Sequence, residues 1–347
     1  VGVFMKPWSP NLSTVSPLTT SQVVNPQVEF CLWKQDREDA MRAASVIGIP
    51  LLTWDFSKQY KKRVTDYMIR EYKAGRTPNP DVMCNKEIKF GLFYKKAMKA
   101  SADFIATGHY ARNERLPFCS RLTLKGSDAS HKTENVSFRL LKAKDKSKDQ
   151  SYFLWTLNQE ILSKCLFPIG DYVKPEVRRM AKKFGLPNHA KKDSQGVCFI
   201  GPLDMKNFLK NHIKPKSGKI IYKNKQIGVH DGVYYYTIGQ RHGLNIGTGG
   251  GPYFIVRKDI KKNIIYVGED KDLKGKQAKV NKLSWVAGSL KLPAKVDVKI
   301  RYRSKSEKAV LSKNGILKFL KPIRAITSGQ SAVFYRKNEL LGGGIIV

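Results

Sequence analysis

The chain has 347 residues, 41% of them hydrophobic and 10% aromatic. At roughly 150 residues per domain this supports two or three domains, and it excludes a disulfide-stapled miniprotein and a disordered basic tail. Lys and Arg total 64 against 28 Asp and Glu, a formal charge of +36, with +15 over residues 1–200 and +21 over residues 201–347. A charge that far beyond the needs of solubility points to a polyanionic partner, and its spread means that both halves could touch a long one.

The opening Val1-Gly2-Val3-Phe4-Met5-Lys6 reads as a buried strand rather than a signal or transit peptide, and a chain that begins inside a strand suggests an upstream segment. Asp36 to Gly48 carries Ala40, Ala44 and Ile47 on a helix that Gly48 stops, ahead of a strand at Leu51–Trp54. Tyr60, Val64, Met68 and Tyr72 recur every four residues on a second helix, with Gly75 as its C′ residue. The loop Arg76–Asp81, with prolines at 78 and 80, is expected to be non-helical, and a third helix carries Ile88, Leu92 and Phe93. A strand at Phe104–Thr107 ends at Gly108-His109-Tyr110. Strands alternating with helices predict βαβ units, a parallel sheet, and a nucleotide edge at Met5 and Gly108, the carboxyl ends of two strands.

Residues 111–148, rich in Ser, Lys and Arg, read as a surface insertion, and Lys174–Phe184, with Val177, Met180, Ala181 and Phe184 on one face, as the last helix of this domain. Beyond residue 203 the pattern changes to strands and Gly-rich turns, including Gly232–Tyr236 and Gly247–Gly251. Alternation over Val296–Arg303 predicts a half-buried strand presenting Lys299, Arg301 and Arg303 together, and strands at Ser331–Tyr335 and Leu340–Val347 complete a small β-barrel.

The five cysteines, Cys31, Cys84, Cys119, Cys165 and Cys198, form no CxxC pair and lie at least 33 residues apart, which points to free thiols in a reducing compartment. No apolar run of about 18 residues occurs, so no membrane span is expected. Cys84 follows the Pro-rich loop at a helix start, where backbone N–H groups and the helix dipole favour a thiolate, and Asp81 three residues earlier could act as a base. Cys198 sits in a loop, Lys192–Gly201, that suits a hinged thiol; spacing alone does not tell whether the fold brings it to Cys84. Cys31, Cys119 and Cys165 have no comparable context.

Six ordered blocks carry a more specific likeness: Gly75–Asp81 running into Cys84–Phe90; Ala106-Thr107-Gly108-His109-Tyr110; Lys148-Asp149-Gln150-Ser151-Tyr152-Phe153-Leu154; Asp193-Ser194 through Cys198-Phe199-Ile200-Gly201; Thr237-Ile238-Gly239-Gln240-Arg241; and Gly329–Tyr335. On these the chain resembles the tRNA-specific 2-thiouridylases, the MnmA/TRMU family, over nearly all its length. The resemblance implies a Rossmann-like ATP-pyrophosphatase α/β domain over 1–202, a small, mostly β central domain over 203–270 and a tRNA-contacting β-barrel over 271–347.

It also implies a sulfurtransferase. ATP, with Mg2+, adenylates the wobble uridine of tRNA, and sulfur from a cysteine persulfide displaces AMP at C2. Cys198 would hold the persulfide and Cys84 would release its sulfur, closing a transient disulfide. Asn79, Pro80 and Asp81 would contact the target base, with Asp81 placed for proton transfer. Met5 and Gly108 would contact ATP. His109, Lys148, Asp149, Gln150, Arg301, Tyr302 and Gln330 would contact tRNA, although alternation alone allows Tyr302 to be core. A persulfide donor protein in a cysteine desulfurase relay is the implied partner, and no resident metal or prosthetic group is implied. The enzyme is expected to be a monomer, in the mitochondrial matrix or alternatively a bacterial cytoplasm.

Two departures stand out. The family's phosphate-binding loop, Ser-Gly-Gly-Val-Asp-Ser in form, is absent, and Gly247–Gly251 cannot replace it because no helix follows it. The chain is therefore read either as part of a longer enzyme or as a tRNA-binding form without catalysis. Residues 9–30, rich in Ser, Thr and Pro, match the family poorly.

Overall fold

The computed structural model describes residues 1–8, 32–116, 137–191, 204–244, 246–247, 249–286 and 288–347. Strand β1 (Gly2–Lys6) pairs in parallel with β2 (Leu51–Asp55), Met5 opposite Trp54, and the helix Leu32–Ile47 connects toward β2. A second parallel pair joins β3 (Ile105–Ala106) to β6 (Cys165–Leu166). The expected α/β domain with parallel strands is present, as two pairs that share no ladder among the described residues. Cys165, buried in β6, is a core thiol whose pKa burial pushes up to about 12.

The second helix runs over residues 57–73 and buries Tyr60, Val64, Met68 and Tyr72, the four residues that the spacing of four singled out. In a helix of 3.6 residues per turn such a stripe drifts around the axis. Here Lys61–Thr65 adopt π-helical geometry, and the wider turn offsets the drift. The third helical run, residues 80–99, contains a longer π-helical stretch, Asn85–Phe93, and buries Val82, Cys84, Ile88, Phe90, Phe93 and Ala97. It begins at Pro80, inside the loop expected to be non-helical. Proline at the first helical position lacks only an N–H that would have no partner there, and its fixed φ suits the helix.

One expectation fails in this part of the chain. Residues 111–148 are not one surface insertion: β4 (Ala111–Arg115) and β5 (Phe138–Lys142) flank it as an antiparallel pair. The helix Lys174–Lys183 forms where expected, with Val177, Met180 and Ala181 half-buried, while Phe184 beyond it is 65% exposed.

The middle of the chain folds as a helix, Met205–Lys210, capped by the Asp204 carboxylate, and a four-stranded sheet. Its strands are β7 (Gly218–Tyr222), β8 (Lys225–His230), β9 (Phe254–Asp259) and β10 (Ile264–Gly268), in the order β8-β7-β10-β9. Residues 233–235 form a 3-10 turn rather than a strand.

Strands β11 (Lys274–Trp285), β12 (Ala294–Lys299), β13 (Glu307–Leu311), β14 (Ile316–Arg324), β15 (Ser331–Arg336) and β16 (Glu339–Ile346) then close a barrel in the order β11-β14-β13-β12-β15-β16, with β16 returning to β11. Strand β12 stops at Lys299 rather than at residue 303. Ser304 Oγ accepts from the Arg301 N–H and donates to the Arg301 carbonyl, so the chain turns where the ladder would have continued.

The cores cross the boundaries between these parts. On β15, Ala332 and Phe334 point into the barrel core, while Val333 and Tyr335 belong to the core of the α/β domain with Tyr152, Leu154 and Trp155. Leu340 of β16 lies opposite Leu140 of β5, so the first domain adds two strands to the barrel sheet. Met68 and Tyr72 from the second helix pack with Phe208, Ile220 and Val233 of the middle domain. Fully buried Leu340 is part of the shared core, and Leu340→Ala should lower unfolding free energy by about 2–5 kcal/mol in a denaturant titration, by lost burial and the cavity left behind.

Candidate functional site

The loop 75–79 lies where the three parts meet. Glu71, at the end of the second helix, takes the Arg76 guanidinium through two hydrogen bonds of 2.5 and 2.8 Å, and Arg76 holds the Glu71 carboxyl below its usual range. Thr77 Oγ1 meets Thr237 Oγ1 of the middle domain at 3.2 Å. From the barrel side the Ser328 carbonyl accepts from the Thr77 N–H at 2.9 Å, and Gln330 Nε2 donates to the Thr77 and Pro78 carbonyls at 3.0 and 3.2 Å. Gly329, at φ +91°, permits this approach: a β-carbon there would stand 2.8–2.9 Å from the backbone of Thr77.

Fixed in this way, the loop delivers Asn79 as the N-cap of the third helix, its Oδ1 accepting from the Val82 N–H at 3.2 Å. The Tyr152 hydroxyl is hydrogen bonded to Asn79 and donates to the Ser331 carbonyl; burial raises its pKa. Asp81 lies in the first turn, where the helix dipole suits a carboxylate. It acts electrostatically on Tyr302, whose half-buried ring stacks on Phe153 at 4.4 Å, and burial first, then Asp149, raises the Tyr302 pKa.

Cys84 is the fifth residue of this helix, beyond its first turn, and fully buried; one of the first-turn amides expected to favour its thiolate is taken by Asn79. The structure thus brings Asn79, Pro80, Asp81, Cys84 and Tyr302 to one place. Cys198, with Asp193 and Ser194, lies outside the described residues, as do Cys31 and Cys119.

Other expected contacts to tRNA are occupied within the protein. His109 is buried between Phe90 and Phe167, its Nδ1 2.9 Å from Thr107 Oγ1 and its Nε2 3.5 Å from Lys89 Nζ. An ammonium can only donate, so Nε2 accepts and the ring proton sits on Nδ1, facing Thr107. Burial, reinforced by Lys89, drives its pKa well below 6.5 and keeps the ring neutral. Asp149 is buried: Oδ1 accepts from the Ala143 and Ser151 amides at 3.2 Å, and Oδ2 lies 3.6 Å from Lys299 Nζ. Lys299 therefore turns inward, not out with Arg301 and Arg303 as the alternation suggested. Gln150 ties its loop to Tyr110 by two hydrogen bonds.

Arg301 Nη2 donates to the Ile238 and Ala325 carbonyls and to Thr327 Oγ1, joining the middle domain to the barrel. In this geometry His109, Asp149, Gln150, Arg301 and Gln330 position loops; Lys148 is partly exposed. Met5 lies near the carboxyl end of β1, and Gly108, just past β3, has open space where a side chain would be. Sequence reasoning passed over Thr77 and Tyr152 as site residues although both lie in the matching blocks, because a positioning role shows only in tertiary contacts.

Two consequences are measurable. Gln330→Ala leaves two carbonyls without their donor and should cost about 1–3 kcal/mol in thermal unfolding. Unfolded chains take up a proton at a His109 of ordinary pKa while the folded protein does not, so stability should fall as pH drops from about 6.5 toward the depressed folded value. His109→Asn should flatten that part of a stability profile measured between pH 7 and 5.

Residues 1–202 match the family model described as the tRNA methyl transferase HUP domain, 206–269 the tRNA methyl transferase PRC-barrel domain, and 276–346 the aminomethyltransferase beta-barrel domain. Among similar proteins, the tRNA-specific 2-thiouridylase MnmA of Nitrosococcus oceani is 44% identical over 329 residues, covering 91% of this chain and 85% of its own length. MnmA 2 of Geobacillus kaustophilus is 41% identical over 355 residues, covering 100% of this chain and 87% of that protein. MnmA of Bacillus velezensis is 41% identical over 356 residues, with the same coverage. With three family models in order along the chain, and a cysteine-bearing helix held at the junction of the three parts they match, the chain belongs to the MnmA family of tRNA-specific 2-thiouridylases.

Proposed function

We propose that this protein transfers sulfur to C2 of the wobble uridine of tRNA. The observation that carries the reading is the clamped Asn79–Cys84 segment: a capping amide, a first-turn carboxylate and a buried thiol within one short helix, fixed from the barrel through Gln330 and Gly329. The relatives' names supply the substrate class, and the charge of +36 supports a polyanion. A wobble base is unpaired before decoding and can be splayed into such a pocket at modest cost.

The uridine C2 oxygen attacks the α-phosphorus of ATP, pyrophosphate leaves, and a poor leaving oxygen becomes AMP. The terminal sulfur of a Cys198 persulfide adds to C2 and AMP departs, leaving a C2–S–S–Cys198 linkage. The Cys84 thiolate then attacks Cys198 Sγ. That S–S bond breaks, a Cys84–Cys198 disulfide forms, and the other sulfur stays on C2 as the thiocarbonyl of 2-thiouridine. A thiol reductant reopens the disulfide, and a persulfide donor protein reloads Cys198.

Asn79, Pro80 and Asp81 orient the base, with Asp81 placed to take the N3 proton as the ring is activated. Met5 and Gly108 lie where ATP enters, and Mg2+ accompanies its phosphates. Lys148 and Tyr302 meet the tRNA, and the residues engaged internally shape the surface around it. The basic composition and the long segment between Tyr110 and Lys148 support a mitochondrial matrix location, while the relatives above are bacterial.

Nucleoside analysis after incubating tRNA, ATP and a persulfide donor with this protein tests the reading. Thiouridine is expected, lost to background in Cys84→Ser and Cys198→Ser while tRNA affinity persists. Thiolation at an unchanged rate in either variant would overturn the cysteine roles, and tRNA binding without thiouridine from any form would leave a binding protein.

A further inference from the structure

A cleft of about 400 Å³ opens between the third helix and the barrel. The helix contributes Asn79, Val82, Met83 and Lys86, spaced i, i+3, i+4 and i+7 and therefore on one face. Neither Asp81 nor Cys84 lines it; they lie off that face, so the cleft adjoins the site above without being the same place.

Its composition is selective. Leu283 and Ile345 of the barrel provide apolar surface opposite Val82 and Met83, and the rings of Tyr67 and Trp155 form further walls. Burial pushes the Tyr67 hydroxyl pKa up to about 12, so it stays a neutral hydrogen-bonding group. Thr156 Oγ1 lies at the wall with no hydrogen-bond partner in the protein, so its partner is a water or a bound molecule.

Two exposed lysines stand among the lining residues. Lys86 comes from the helix, with Glu87 3.9 Å away as a weak partner. Lys282 comes from a bulge in β11, where the ladder with β16 skips between Asn281 and Ser284 and Lys282 takes φ +50°. Bulges beside sites commonly re-aim a side chain, and here the displaced residue carries a charge to the cleft.

Apolar and aromatic walls, one orphaned hydroxyl and two cations suit a planar ring that carries a phosphate, and the volume lies within the range of small-ligand pockets. We propose that this cleft binds the nucleotide adjoining the target uridine in the RNA strand, Thr156 bonding to its base edge and Lys86 and Lys282 to its phosphates. Asn79, which also caps the helix bearing Asp81 and Cys84, is shared by the two sites and links occupancy of one to the geometry of the other. The inference rests on the proposed sulfur transfer to tRNA.

The test uses the full chain and anticodon stem-loop RNAs carrying 2-aminopurine at either the 5′ or the 3′ neighbour of the target uridine. Wild type should quench one of the two probes on binding, and Thr156→Val should relieve the quenching and weaken binding about 2- to 10-fold, with Thr156→Ser restoring both. Replacing both lysines by glutamine should make the salt dependence of binding shallower by about 1 to 2 in log–log slope. No quenching at either neighbour, or a Thr156→Val protein indistinguishable from wild type, overturns the proposal while leaving sulfur transfer intact. An effect of Thr156→Val on free AMP or UMP binding alone would assign the cleft to a free nucleotide and overturn it too. Failure of the wild-type protein to bind any tRNA removes both this inference and the reading on which it rests.

Discussion

The geometry of this protein depends on one stretch, residues 327–335, that is committed on every side. Thr327 receives Arg301, the Ser328 carbonyl and Gln330 fix the Thr77–Pro78 loop, Ser331 accepts from Trp155 Nε1 and Tyr152, and the strand beyond divides its side chains between two cores. A strand buried on both faces has no register slip open to it, because moving by one residue would exchange Ala332 and Phe334 for Val333 and Tyr335. That rigidity passes through two carbonyl contacts to the loop, from the loop to Asn79, and from the cap to the helix that holds Asp81 and Cys84.

The charged groups follow a different logic from the one that composition suggests. The excess of lysine and arginine is real, yet several basic side chains, Lys299 and Arg301 among those expected outside, are used inside. Lys299 reaches the buried Asp149, Arg301 spans three acceptors between domains, and Lys89 faces a neutral imidazole. Arg301 supplies donors to buried acceptors, Lys299 a positive charge beside a buried carboxylate, and Lys89 a donor to a ring nitrogen.

What could be read from the amino-acid sequence was local periodicity and ordered motif blocks. The every-fourth-residue stripe on the second helix and the alternation over β12 as far as Lys299 appear as expected because burial enforces both periods. The misreadings have tertiary causes. Proline at 80 signalled a loop although it suits a first helical turn. Alternation ran past Lys299 because the Ser304 side chain that turns the chain leaves no trace in a hydrophobic pattern. Of the two strands flanking residues 117–136, β5 gained its second partner, β16, from about 200 residues further on, a distance at which pattern reading carries no information. Motif blocks singled out Asn79–Cys84 and Tyr302, which the fold brings together; that His109, Gln330 and Arg301 are tied up internally was not legible, since motif identity names a residue without naming its neighbour.

The separation in sequence between Gln330 and the loop it holds, 253 residues, has a consequence for how the protein comes into being. During synthesis the α/β domain emerges first, but Val333, Tyr335 and Leu340 are part of its core, so it cannot seal that core until the barrel strands have left the ribosome. Its apolar face must wait exposed through the making of the middle domain. Folding therefore ends in one late, long-range closure in which the last strands complete the first domain, a step sensitive to translation speed and to whatever shields the waiting surface.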